Sequence, residues 1–164
     1  MICSNRFFSI QISLQTDCFW EYVLDVSRIS AENNASKHGR TLFIITALYA
    51  MYLRISELAA SKRWTQKMCD FYRDHDGNWW FITVGKGNKQ RQIAVSDAML
   101  RSLKRYRKYL GLSALPSPAD ITPLITKIKG KGPITNTTYI REIVQACFDQ
   151  AIIKLNEDGH LEEA

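Results

Sequence analysis

The order of hydrophobic and polar residues along the chain predicts two helices in its first third. Apolar residues recur at helical spacing over residues 16–30, and they cover more than one face of a longer segment, residues 39–61. A polar segment, residues 31–37, reads as the loop between these two helices. The second helix is therefore expected to be central and buried. Residues 1–15 alternate loosely, which predicts either a strand or a disordered lead-in segment.

After Trp64 the pattern changes from the helical period to that of β-strands. Two runs rich in β-forming residues, 68–73 and 79–84, flank the sequence His-Asp-Gly-Asn. Asp-Gly between two such runs is a strong signal of a β-hairpin. A second turn over residues 85–90 and a third run over 91–95 complete a predicted three-stranded antiparallel sheet.

Two further helices are predicted after the sheet. Ser96 is a good N-cap and Gly111 a good helix end, while the last helix begins near residues 136–138 and ends at residues 158–159. The predicted fold class is α+β and mainly helical, with helices around a small three-stranded antiparallel sheet.

Length, charge and composition narrow the possible partners. The chain of 164 residues carries a net charge of +6, which favours a polyanionic partner but is weak evidence alone. The longest uncharged apolar run, residues 41–53, is too short to span a bilayer, so no membrane partner is expected. The cysteines are scattered and the histidines lie far from ligand spacing, which predicts reduced thiols in a cytoplasmic protein and no metal site.

Arg54 is the first residue with candidate chemistry, since it follows the apolar segment and has Glu57 at i+3. A guanidinium group offers planar, paired donors suited to phosphate oxygens, and a nearby carboxylate can fix its direction. A surface ion pair at helical spacing, worth about 0.2–0.5 kcal/mol, is the structural alternative. The local pattern leaves both interpretations open.

The turn predicted between the second and third strands concentrates positive charge. Its sequence, Gly-Lys-Gly-Asn-Lys at residues 85–89, contributes three cations if Arg91 is included. An ordinary soluble turn is the alternative, because Gly, Asn and Lys are common turn residues. The segment is not a P-loop, since the glycine–lysine spacing differs and no helix follows directly.

The helix predicted after the sheet carries a single basic stripe opposite its apolar face. Its members recur at i, i+3, i+4 and i+7: Arg101, Lys104, Arg105 and Lys108. The stripe is either an ordinary solvated face or a surface that contacts the DNA backbone with salt-sensitive, sequence-independent affinity.

Taken together, the two motifs resemble those of the tyrosine recombinase (phage integrase) family. In that family the first catalytic arginine lies in a motif like ALYAMYLRISELAAS, and a hairpin lysine lies in one like VGKGNKQRQIAVS. The resemblance is clearest over residues 47–95 and extends more loosely to residue 16 upstream and residues 138–155 downstream. It identifies residues 16–164 as an incomplete catalytic domain of a DNA breaking and rejoining enzyme.

The resemblance implies a site-specific recombinase or integrase that cleaves DNA through a 3′-phosphotyrosyl intermediate without a metal or nucleotide cofactor. Arg54 would contact the scissile phosphate, supported by Glu57, and Lys86 would protonate the 5′-oxygen leaving group. Lys89 and Arg91 would be phosphate clamps or solvated charges. The implied partners are double-stranded DNA and further recombinase subunits, assembled as a tetramer on DNA. The implied location is cytoplasmic and nucleoid-associated.

The sequence also departs from the family pattern, which requires a His-x-x-Arg motif, a second His or Trp, and a tyrosine nucleophile. His160 is followed by Leu-Glu-Glu and does not form that motif, and the tyrosines lie outside a nucleophile context. We therefore expect a truncated catalytic domain that is inactive by itself. The alternative is a non-enzymatic relic that keeps the fold and binds only DNA or another recombinase subunit.

Overall fold

The computed structural model describes the backbone of residues 4–129 and 132–158, and the side chains of residues 17–85, 87–129 and 132–158. Within these ranges the chain forms five α-helices and a three-stranded antiparallel sheet. This confirms the predicted mainly helical α+β class. None of the helices in the described ranges has the length and apolar character needed to cross a membrane.

Two long helices form the first part of the fold. Helix α1 spans Ser4–Asn33 and helix α2 spans Ala35–Met51. Only Asn34 separates them, and its side-chain oxygen accepts a hydrogen bond from the backbone N–H of Lys37 at 3.2 Å, which caps α2. The predicted polar loop over residues 31–37 is therefore wrong, because these polar residues continue the helices and supply the cap.

Helix α1 also includes residues 4–15, for which loose alternation predicted a strand or a disordered lead-in. A short alternation of apolar residues does not separate strand from helix unambiguously. No Gly or Pro occurs between residues 4 and 33, so nothing in the local sequence interrupts the helix.

The predicted helix over residues 39–61 ends much earlier, at the C-terminus of α2. Tyr52 adopts a left-handed conformation (φ 49°, ψ 40°), which is a common way to end a helix. This change of direction turns Leu53 into the core, where it is 6% exposed. A separate helical turn, α3 (Ile55–Leu58), follows. Arg54 thus lies on the link between α2 and α3 and not within a helix.

The sheet has the predicted order and connections. Its strands are β1 (Phe71–Arg73), β2 (Trp79–Val84) and β3 (Gln90–Ala94), paired antiparallel in chain order. The first strand is shorter than predicted, because a 3-10 turn over Met68–Asp70 precedes it. Phe81 in β2 lies opposite Phe71 on one side and Ile93 on the other, so the central strand contributes most to the core.

The last two helices begin at the predicted caps. Helix α4 spans Asp97–Tyr109 and helix α5 spans Thr137–Glu157. The Ser96 hydroxyl accepts a hydrogen bond from the backbone N–H of Met99 at 3.3 Å, and Asn136 caps α5 in the same manner. These local signals were sufficient because a cap depends on only a few neighbouring residues.

One hydrophobic core joins α2, the sheet, α4 and α5. The rings of Phe43 in α2 and Tyr106 in α4 stack with their centroids 4.3 Å apart, and Phe71 packs on Phe81 at 4.5 Å. The end of α2 and the β2–β3 hairpin are therefore fixed against the same core. The link that carries Arg54 and the turn at residues 85–89 are held in a defined relative position.

Arg107 is a structural residue that sequence reasoning missed, although it lies within the basic sequence of α4. Its side chain is 1% exposed, and Nη1 lies 2.7 Å from Oδ2 of Asp120. Its Nε and Nη2 donate to the backbone and hydroxyl oxygens of Ser113 at 2.7 and 3.1 Å. Arg107 therefore anchors the loop after α4 and does not belong to the exposed basic stripe.

Candidate functional site

Glu57 connects the Arg54 segment to the β2–β3 hairpin. Its side chain is 5% exposed, and Oε2 accepts the backbone N–H of Arg54 at 2.7 Å and Nη2 of Arg91 at 2.8 Å. Gly85 lies against the other carboxylate oxygen, since a Cβ atom added there would be 3.3 Å from Oε1. Two motifs that are distant in the sequence thus meet at one carboxylate.

The backbone around Glu57 is fixed as well as its side chain. The side-chain amide of Gln66 donates a hydrogen bond to the backbone carbonyl of Glu57. The backbone N–H of Glu57 donates to the carbonyl of Arg54 at 2.8 Å. Because both ends of the α3 turn are held in this way, the position of Arg54 is set by hydrogen bonds and not by helix geometry alone.

The Arg54 guanidinium group itself is available to a ligand. The residue is exposed, and its side chain makes no salt bridge with any residue whose side chain the structure describes. The sequence predicted that Glu57 would support Arg54. In the structure Glu57 binds the backbone of Arg54, so the five guanidinium donors are not consumed by the carboxylate.

A cleft of about 400 Å³ opens beside Glu57, between the α3 turn and the hairpin. Three cationic residues contribute to its wall: Arg54, Lys62 and Arg63. Glu57 is the one carboxylate in the described wall, and it is already paired with Arg91. The cleft therefore has an excess of positive charge and favours an anionic group such as a phosphate.

The hairpin turn closes one side of this cleft. Gly85 lines the cleft, and its backbone N–H donates to the carbonyl of Lys89 at 2.9 Å. Gly87 and Asn88 have positive φ values of 76° and 59°, which is the conformation that Gly and Asn tolerate best. The side chain of Lys86 lies outside the described part of the structure, so its predicted contact with a leaving group remains a prediction.

Arg91 is paired with a carboxylate in the structure, and its role as a phosphate clamp or a solvated charge stays a prediction. It is 45% exposed and shares the buried Glu57 carboxylate with the Arg54 backbone. The two residues are separated by 34 positions, so no local pattern could have predicted their pairing. Arg91 connects strand β3 to the α3 turn, whereas Lys89 is exposed in the turn itself.

The basic stripe of α4 is exposed as predicted: Arg101, Lys104, Arg105 and Lys108. The opposite face is buried through Met99, Leu103 and Tyr106. Arg105 lies 4.0 Å from Glu32, a solvent-exposed pair that contributes little to stability. These four cations are thus placed where a polyanion could reach them.

A second cleft, of about 560 Å³, lies between α1, α2 and α4. Arg101 and Arg105 from the stripe line it together with Arg28 from α1 and Tyr52 from the end of α2. The cationic surface therefore continues from α4 to the residue that ends α2. Tyr52 is two positions before Arg54 in the chain, so the two clefts take lining residues from the same short segment.

Glu57→Ala is expected to lower the free energy of unfolding by about 2–4 kcal/mol, because it leaves the Arg54 N–H and the Arg91 guanidinium without their shared acceptor. Urea denaturation measures the change. The free energy of unfolding of Glu57→Gln, which keeps one acceptor oxygen, should lie between those of the unaltered protein and Glu57→Ala. Glu142→Ala is the matched control, since Glu142 is exposed on α5 and its loss should change stability by less than about 0.5 kcal/mol. Equal stability of Glu57→Ala and Glu142→Ala would show that the carboxylate does not hold the site together.

No protein family model matches this chain, and no curated protein sequence is significantly similar to it.

Proposed function

We propose that this chain is part of a site-specific DNA recombinase or integrase of the tyrosine type, and that the cleft beside Glu57 binds a DNA phosphodiester. The observation that supports this most strongly is the convergence of Arg54, Gly85 and Arg91 on the Glu57 carboxylate. The resemblance in sequence concerns the same two segments that this carboxylate joins.

Arg54 supplies the phosphate contact. Its exposed guanidinium group presents planar donors that match two phosphate oxygens, while Glu57 fixes the backbone from which it extends. A cation preorganised in this way stabilises the charge that builds up on the phosphoryl oxygens in a transition state.

Lys86 is the proposed general acid. In the complete reaction a tyrosine hydroxyl attacks phosphorus, a 3′-phosphotyrosyl bond forms, and the bond to the 5′-oxygen breaks with transfer of a proton to that oxygen. A lysine near other cations has its pKa lowered, which makes its ammonium group a better proton donor near neutral pH. The turn that carries Lys86 is held beside Arg54 through Gly85 and Glu57.

The basic stripe of α4 supplies affinity for the DNA backbone away from the cleft. Each lysine or arginine that neutralises a phosphate releases counterions, so such contacts are strongly salt-dependent and independent of sequence. Arg101 and Arg105 of the stripe also line the second cleft, which reaches Tyr52 at the end of α2.

The stripe can be tested by replacing all four of its cations with glutamine. Binding of a labelled DNA duplex is measured between ~50 and ~200 mM salt, and the plot of log K against log salt gives the slope. The slope should fall in magnitude by about 0.9 for every phosphate contact removed. Lys154→Gln, at the last turn of α5, is the control that should leave the slope unchanged. An unchanged slope in the fourfold variant would remove α4 from the DNA surface.

A second candidate is a DNA-binding protein of the same fold that does not cleave DNA. It is favoured by one observation: no tyrosine is among the described residues that line the Arg54 cleft. A covalent 3′ adduct between protein and duplex, detected after denaturation, would exclude this candidate. Reversible binding that leaves no adduct would support it for the chain acting alone.

A further inference from the structure

Tyr52 combines a left-handed backbone, which turns Leu53 into the core, with a side chain that gains little from packing. Its φ of 49° places a bulky residue in the left-handed region, where glycine is the usual helix terminator. Its side chain is also 82% exposed, so the ring gains almost no burial in return. Burial of Leu53 explains the turn of the chain, but it does not explain a tyrosine where glycine would carry no strain, and strained residues cluster at functional sites.

The position of Tyr52 relative to the cationic surface indicates what its ring could contact. Tyr52 lines the cleft shared with Arg101 and Arg105, while Arg54 lines the cleft beside Glu57. Tyr52 and Arg54 are two residues apart, so their Cα atoms lie at most about 7 Å from each other. An exposed aromatic ring thus lines a cleft with Arg101 and Arg105, two residues before Arg54 in the chain.

We propose that Tyr52 stacks on an unstacked base of the same DNA strand whose phosphate is bound by Arg54. This inference rests on the proposed DNA-binding function. Every nucleobase has an apolar face that an exposed aromatic ring can cover, whereas the arginines on either side hold the backbone. A basic protein segment is a poorer fit, because Glu57 is the one carboxylate in the two described walls and the other charged residues of both are cations.

The test compares two labelled duplexes of the same sequence, one fully paired and one with a single unpaired base. Tyr52→Ala should weaken binding to the duplex with the unpaired base by about 5- to 100-fold, and should affect the fully paired duplex less. Tyr52→Phe keeps the ring and should bind both duplexes as the unaltered chain does. If Tyr52→Ala and the unaltered chain bind the duplex with the unpaired base equally well, the stacking role is overturned while the proposed function stays intact. Failure of the unaltered chain to bind either duplex would overturn both.

Tyr52→Gly separates a binding role from a folding role. Glycine adopts the left-handed conformation without strain, so the melting temperature of the Tyr52→Gly protein should rise by about 2–4 °C. The same variant should lose affinity for the duplex with the unpaired base, as Tyr52→Ala does. A Tyr52→Gly protein that is more stable and binds unpaired DNA normally would show that the ring has no part in recognition.

Discussion

Replacing Arg54 by alanine is expected to lower the rate of DNA strand cleavage by about 10³–10⁵-fold in a protein that also carries the tyrosine nucleophile. The guanidinium group is exposed in a cationic cleft, and Glu57 holds the backbone of Arg54 without occupying its donors. Under the proposed function, the variant loses the cation that stabilises the transition state, whereas the fold should be retained because the side chain is exposed. Single-turnover cleavage of a labelled duplex measures the loss in the chemical step.

Two further variants make this result specific. Arg54→Lys keeps the charge but loses the paired donors, so its rate should lie between those of the unaltered protein and Arg54→Ala. Arg73→Ala is the matched control, because this exposed arginine at the far end of the sheet donates to the carbonyl of Gly77. Cleavage by Arg54→Ala at close to the normal rate would remove Arg54 from the phosphate site.

Arg107→Ala is expected to lower the free energy of unfolding by about 3–5 kcal/mol, which is the usual effect of breaking a buried ion pair by removing one partner. The substitution removes the Arg107 donors from Oδ2 of Asp120 and from the Ser113 carbonyl, and leaves Asp120 only the hydrogen bond from Thr122 to Oδ1. A domain is stable by only about 5–15 kcal/mol, so the variant should unfold at much lower urea concentration. Lys108→Ala removes an exposed neighbour and should change stability by less than about 0.5 kcal/mol.

The same ion pair should make stability depend on acid pH. Burial alone would raise the pKa of Asp120, but hydrogen bonds from Thr122 and Arg107 lower it below its ordinary value. A carboxyl group whose pKa is lowered by folding stabilises the fold above its unfolded pKa, and this contribution is lost as the pH falls through the lowered value. Arg107→Ala should therefore lose less stability than the unaltered protein over that acid range. The same acid dependence in both proteins would contradict the role of the pair.

The sequence predicted features that depend on neighbouring residues and missed those that depend on residues distant in the chain. Ser96 and Asn136 mark helix starts because an N-cap needs only residues two or three positions away. The end of α2 was missed because the apolar pattern continues beyond it. The helix stops at Tyr52, and Leu53 then packs into a core built by distant elements. Local periodicity contains no information about that packing.

The candidate site was predictable in its parts but not in its connections. The sequence identified Arg54, Glu57 and the hairpin turn, and the structure brings all three to one cleft. The pairing of Glu57 with Arg91 joins the α3 turn to strand β3, and only the folded chain shows it. Likewise, Arg107 resembled its basic neighbours in sequence, and only the position of Asp120 in the following loop distinguishes it.

NMR mapping of the isotopically labelled chain shows whether the Arg54 cleft and its hairpin bind DNA. A short duplex is titrated at low salt while the backbone amide signals are followed. We expect the largest saturable shifts at residues 52–57 and 85–91, with smaller shifts along α4, and we expect Arg54→Ala to reduce them. Absence of shifts at residues 52–57 and 85–91, or shifts confined to other surfaces, would contradict the assignment of this cleft to DNA.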